Sequence, residues 1–365
     1  MWFELEARPE PSAAMRYASP LIAVALTLLG GLVVFLALGR DPLQGFAVFF
    51  LKPLDDLYGI SELLLKATPL ALIAIGLAVG FRANVWNIGA EGQYMLGAVG
   101  ASGVALYLHG VENSWVVLPA MLVAGAAGGA LWAAIPALLR TRFNANEILV
   151  SLMLVYIAKL FVSWLVFGPW KDPDGFNFPQ TKMFSDGALL PALAEGLRVN
   201  LAFPIALGAL AAGYLFMHRS FYGFQLIVAG EAPEAARYAG FSARRAVWVG
   251  LLAGGAAAGV AGMTEVAGPM GQLTPNVSAN YGFAAIIVAF VGRLNPVGIL
   301  LASLLMSLLY LGGEQSQQYL NLPASISNVF QGMLLFFLLG ADVFINYRLR
   351  RRAVAKPARP GARAA

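Results

Sequence analysis

Apolar runs of about 20 residues, the length a helix needs to cross the hydrocarbon core of a bilayer, recur along the chain with short polar segments between them. Leu21 to Leu38 is the first and Ser61 to Phe81 the second, with Lys66 near one end, where its stem can snorkel. Tyr94 to Leu108, Trp115 to Leu139, a run ending at Phe167, Val199 to Met217 and Ala246 to Thr264 follow. The pattern then breaks. Glu265 to Ser278 holds Gly268, Pro269, Gly271 and Pro275, which no continuous helix accepts. Ala279 to Val291 is a short apolar piece stopped by Gly292 to Pro296, Val297 to Leu311 follows directly, and Ile326 to Ile345 is the last run. Two short helices meeting at a polar break mark a discontinuous membrane element. The pattern predicts an all-α, polytopic membrane helical bundle of about ten transmembrane helices with broken or re-entrant segments.

Residues 1–19 read as a cytoplasmic N-terminal segment, 20–345 as the transmembrane domain, and 346–365 as a basic cytoplasmic tail expected to be disordered. The first run is expected to be retained rather than cleaved, because the segment before it is long and carries both charge signs. With about ten crossings both termini fall inside, and Arg82, Arg140 to Arg142, Arg219 to Arg245, Arg293 and Arg348 to Arg352 all lie on the cytoplasmic side. The expected location is the cytoplasmic (inner) membrane, multi-pass.

Hydrophobic residues make up 59% of the chain and charged residues 12%, against about 25% charged in soluble domains. The net charge of +5 gathers beside apolar spans, so it sets orientation rather than binding nucleic acid. Cysteine is absent and histidine occurs twice, which excludes disulfides, thiol catalysis and zinc sites. The longest polar insertion, the outer loop 168–198, is too short for a soluble domain and reads as an ordered lid or short surface helices. No phosphate-binding loop, nucleophile–base pair or H-E-x-x-H pattern occurs, so no cofactor is expected on this chain and any ATPase must be another polypeptide.

Two polar stretches carry the candidate chemistry. Glu231 to Arg245, EAPEAARYAGFSARR, lies in a loop of 218–245 with Arg219, Arg237, Arg244 and Arg245. Pro233 can open a helix and Gly240 close it, leaving barely two turns, about 10 Å, too short to hold its shape alone. Its three alanines make it a poor lipid binder, so a protein partner is expected to dock there, and Ala236→Arg is expected to abolish transport while leaving membrane insertion intact. Asn84 to Gln93, NVWNIGAEGQ, supplies Asn84, Trp86, Asn87, Glu91 and Gln93 as candidates for lining a solute pathway. A carboxylate at membrane depth must pair, line water or meet solute, Trp86 offers a stacking face, and the amides offer donors and acceptors. The competing reading is a turn whose polar groups cap the third span. Asn144 and Glu147 have the spacing of a capping box for the fifth span, and Glu314 to Gln318 reads as an outer loop.

Four stretches, FRANVWNIGAEGQ at Phe81 to Gln93, NANEILVSLMLVYIA at Asn144 to Ala158, GEAPEAARYAGFSARRAV at Gly230 to Val247 and IIVAFVGRLNPVGI at Ile286 to Ile299, resemble the permease subunits of ATP-binding cassette importers. The resemblance is to the branch carrying branched-chain amino acids, simple sugars and nucleosides, nearest the nucleoside or simple-sugar subgroup. It implies a type II-like importer permease whose residues Glu234, Ala235, Ala236, Arg237, Tyr238, Ala239 and Gly240 form the ATPase-coupling helix. It implies a tandem ATPase that holds ATP and Mg, a second, dissimilar permease and a substrate-binding lipoprotein, with a nucleoside or simple sugar as solute. The alternative is a stand-alone secondary transporter or channel, which the scarcity of ionisable groups in the span interiors disfavours.

Overall fold

Two strands and thirteen α-helices make up residues 3–351, the part of the chain that the computed structural model describes. In order they are β1 (Phe3–Ala7), α1 (Ala13–Ala37), α2 (Pro42–Phe46), α3 (Leu57–Arg82), α4 (Ala90–Tyr107), α5 (Ser114–Phe143), α6 (Glu147–Phe167) and α7 (Ala202–Arg219). Then come α8 (Phe221–Glu231), α9 (Pro233–Tyr238), α10 (Ala243–Glu265), α11 (Tyr281–Val291), α12 (Pro296–Leu320), α13 (Ile326–Asn346) and β2 (Tyr347–Arg351). Among the described residues seven helices are long and apolar enough to cross a membrane: α1, α3, α5, α6, α10 with its extension to Met270, α12 and α13. The other three expected spans correspond to α4 and α7, of 18 residues each, and α11, of 11. They do not reach the same combination of length and hydropathy.

The buried axis is α3. Its residues from Leu70 to Leu77 are enclosed on all sides, as expected of a helix that is apolar all round. Against it and α4 and α5 packs α10, whose glycines let backbones touch. A Cβ added at Gly259 would sit 2.1 Å from the Gly125 carbonyl oxygen, and one at Gly97 would sit 2.1 Å from the Gly259 Cα. Hydrocarbon supplies no hydrophobic drive between helices, so such van der Waals contact is what holds them.

Several boundaries differ from the sequence expectation. The start of α1 at Ala13 precedes the apolar run because the Ser12 side chain accepts from the Met15 N–H and begins the helix early. The fold is not wholly α: β1 pairs antiparallel with β2, setting Glu6 opposite Arg348 with an Oε2–Nε distance of 2.9 Å. Tyr347 to Arg351 is thus a strand where a disordered tail was expected, and 352–365 lies outside the described residues. The Glu314 to Gln318 stretch is helical, belonging to α12, which Asn321 ends in the left-handed conformation (φ 52°). Asn144 is no N-cap. It closes α5 at φ 53°, while Asn146 caps α6 and Glu147 pairs with Arg140.

Both polar breaks are real. Past Glu265, α10 runs into a π-helical turn at Val266–Met270, and the 168–198 segment is ordered against it. Phe184 and Leu190 donate backbone bonds to the Gly271 and Ala267 carbonyls at 2.8 and 2.7 Å, satisfying groups that the broken helix leaves open. Between α11 and α12 the chain turns through Arg293 and Leu294, both left-handed, before Asn295 caps α12.

Candidate functional site

Six residues make α9, with Pro233 at its first turn and Gly240 just beyond it at φ 77°. The N–H groups of Gly240 and Phe241 return to the carbonyls of Arg237 and Ala236 and close the helix. Glu234, Ala235, Arg237, Tyr238, Ala239 and Gly240 are exposed, Tyr238 at 97%. Ala236 is not: at 4% exposure it faces inward, and an arginine there would bury a charge in the chain itself rather than confront a partner.

The loop of 218–245 also contains α8, which starts where the Ser220 hydroxyl accepts from the Gly223 N–H. Phe241, just after α9, meets Phe221 and Phe224 of α8 edge-on at 6.1 and 6.3 Å, so α8, α9 and Phe241 form one packed unit. Between α8 and α10 lies a cleft of about 160 Å³ walled by Leu226, Phe241 and Trp248. The unit rests on α3, α7 and α10, and at the end of α3 the contact is backbone on backbone. A Cβ at Gly230 would lie 2.1 Å from the carbonyl oxygen of Arg82, the last residue of α3.

Arg82 leads into Asn84 to Gln93, and the structure divides the five candidates there. Asn84 is left-handed (φ 55°) and its Oδ1 accepts from the Trp86 Nε1–H at 2.8 Å. Trp86, 36% exposed, stacks beside Phe81 and Phe290 at 5.3 and 5.8 Å. Asn87 and Gln93 are buried and form a closed amide pair, with Nδ2 donating to Oε1 at 2.8 Å and Nε2 donating back to Oδ1 at 3.0 Å. Asn87 Oδ1 also accepts from Gly89 N–H. Glu91, 2% exposed, accepts through Oε2 from the Gly282 N–H at 2.7 Å. Gly282 is in the first turn of α11, whose own N-cap Asn280 makes no side-chain bond. The carboxylate therefore caps α11, where a negative charge meets the positive end of the helix. A Cβ at Gly282 would come within 2.2 Å of the Glu91 nitrogen, so α4 and α11 begin in backbone contact.

At the other end of α3, a cluster that sequence reasoning missed joins Glu62, Lys66, Arg198, Glu265 and Glu314. Lys66 and Arg82 are 16 positions apart on α3 (82 − 66), about 24 Å of helix. Lys66 Nζ pairs with Glu314 Oε1 at 2.9 Å, and Arg198 Nη1 with Glu62 Oε1 at 3.1 Å. Glu265 faces Lys66, Arg198 and the Tyr94 hydroxyl. Tyr281 stands edge-on between Tyr94 and Tyr310, at 6.2 and 5.4 Å. The available signal was an acidic residue at the mouth of a glycine–proline break, together with a lysine inside an apolar run.

A short exposed helix braced on the central span, with polar groups at both ends of that span, suits a moving passage rather than a reaction centre. Residues 59–339 match the family model described as branched-chain amino acid transport system / permease component. The chain belongs to this permease family. A glucose ABC transporter permease protein of Haloferax volcanii is 35% identical over 95% of this chain and 93% of its own length. A nucleoside ABC transporter permease protein of Lactococcus lactis is 29% identical over 87% of this chain and 89% of its own, and a guanosine ABC transporter permease protein of Bacillus subtilis is 28% identical over 91% and 96%. No solved structure gives a significant match. The permease is thus a multi-span membrane subunit of an ABC importer for a small polar solute, a transport component rather than an enzyme. Membership in the family implies the parts of such a complex, an ATPase and a substrate-binding protein among them. Among the described residues no group of three or more His, Cys, Asp or Glu is placed to hold a metal.

Proposed function

We propose that this permease crosses the cytoplasmic membrane about ten times with both termini inside, and pairs with a second, dissimilar permease of type II-like architecture. A tandem ATPase, carrying ATP and Mg, docks on α9, and a binding lipoprotein delivers a nucleoside or simple sugar. The observation that carries this reading is the bracing of the α8–α9 unit on the Arg82 carbonyl. Displacement of α9 acts on the end of α3 and on the Asn84 to Gln93 turn, and from there, through Glu91, on the first turn of α11. Coupling needs such a contiguous, stiff chain of contacts. Ala235, Tyr238 and Ala239 form the exposed docking surface, with Glu234 and Arg237 paired along it at 3.2 Å.

Glucose, nucleosides and guanosine, the solutes that the relatives' names print, all carry several hydroxyl groups. At the end of α3 far from α9, the cluster of Glu62, Lys66, Arg198, Glu265 and Glu314, with the buried Tyr94 and Tyr281 packed behind it, offers acceptors and donors for such a solute. An ionisable group at membrane depth with more than one cationic neighbour is a natural place for solute contact. The test is purification of the tagged permease followed by reconstitution of whatever co-elutes. ATP-dependent uptake of labelled nucleoside or glucose, with an ATPase in the complex, is expected. Uptake that proceeds without ATP and without an ATPase overturns the proposal in favour of a stand-alone carrier.

A further inference from the structure

A cavity on the flank of the bundle reaches the end of α3 at Arg82. It is a groove of about 710 Å³ between the N-terminal half of α1 and α12, beside the α11–α12 turn. That is within the roughly 300–1,000 Å³ typical of sites for drug-sized ligands. One end is cationic, lined by Arg16, Arg82, Arg293 and Asn295, and the walls beyond are apolar, among them Leu21, Val24, Leu301 and Leu305. Val24 and Leu305 also border a crevice of only about 10 Å³ closed by Leu28, Leu309 and, from α13, Leu334. The shape is a charged mouth on a hydrocarbon slot.

The cations are not equivalent. Arg293 is neutralised: it pairs with Asp342, Nη1 to Oδ2 at 2.8 Å, and also donates to Ser19. Arg82 donates one bond to the Leu294 carbonyl at 3.0 Å and has Glu231 as its acidic neighbour, without an ion pair. Arg16 is exposed and has no ion pair among the described residues. Positive charge is therefore left over at the mouth. Leu21, Val297 and Leu301 are exposed on the flank of the bundle.

We propose that this groove binds one anionic phospholipid, its phosphate between Arg16 and Arg82 and its acyl chains along Leu21, Val24 and Leu301. The charge complements the headgroup, and the apolar wall of Leu21, Val24, Leu301 and Leu305 is what a free phosphate could not use. Basic pockets between membrane helices recognise anionic headgroups in this way. The lipid would bridge α1, held mainly by α13, to the α11–α12 turn and the end of α3.

The test measures lipid retained by the purified full complex after exchange into phosphatidylcholine detergent micelles, starting from membranes containing phosphatidylglycerol. Wild type is expected to keep about one phosphatidylglycerol per permease. Arg16→Gln, outside both the docking helix and the charged cluster at the far end of α3, is expected to lower that retention about fivefold, the loss of one surface arginine. Leu301→Trp, which fills the slot without changing charge, is expected to lower it as well. Displacement of the lipid by inorganic phosphate, or equal retention of phosphatidylglycerol and phosphatidylcholine, overturns the proposal. So does wild-type retention by both variants.

Discussion

Replacing Glu91 separates the two roles its sequence context left open. In the structure its Oε2 accepts from the Gly282 N–H at 2.7 Å in a site 2% exposed. Glu91→Ala removes the acceptor and leaves a buried N–H without a partner, which costs about 1–3 kcal/mol. Losing the negative charge at the start of α11 adds about 0.3–1 kcal/mol. The sum, roughly 1–4 kcal/mol, is a sizeable part of the 5–15 kcal/mol that holds a typical domain. Glu91→Gln keeps an amide oxygen for Gly282 and should lose only the smaller part. Thermal stability of the purified complex, followed by size-exclusion chromatography after heating, should rank wild type, Glu91→Gln and Glu91→Ala in descending order. Uptake per assembled complex should stay near wild type for Glu91→Gln. If Glu91→Gln assembles normally but transports as poorly as Glu91→Ala, the carboxylate itself meets the solute and the capping argument fails.

Other outcomes follow from the same geometry. Ala235→Arg, on the exposed face of α9, should abolish ATP-driven uptake while leaving a stable, inserted permease, and normal uptake would remove the docking assignment. Ala236→Arg should instead lower the yield of folded protein, since its Cβ points into the chain. Gly259→Val must push α10 off α5, where an added Cβ would sit 2.1 Å from the Gly125 oxygen; a cost of about 1–3 kcal/mol or more should deplete the assembled complex, and wild-type levels on a blue native gel would contradict the packing. Glu265→Gln, which replaces one carboxyl oxygen by an amide donor, should raise the KM for uptake about tenfold, roughly the worth of one hydrogen bond, with basal ATPase activity unchanged. An unaltered KM would take Glu265 out of the solute path.

Hydropathy and charge along the chain announced the membrane, the helical class, the two breaks and the short helix at Pro233, because each rests on local physics. An apolar run of bilayer length, a proline that cannot donate and a glycine that tolerates positive φ act within a few residues of themselves. Partnership was not local. Glu91 finds Gly282 across 191 positions, Lys66 finds Glu314 across 248, and Glu6 finds Arg348 across 342, so capping, the polar cluster and the terminal strands were out of reach of any window. The inward turn of Ala236 belongs with them, since six residues of helix show no periodicity until α8 covers one side. The sequence alone determined where polar stretches interrupt the apolar runs. Only the tertiary structure decided which of those polar groups are already satisfied, Asn87 by Gln93, Glu91 by α11 and Glu265 by Lys66, Arg198 and Tyr94, and which, like Arg16, have no ion pair among the described residues.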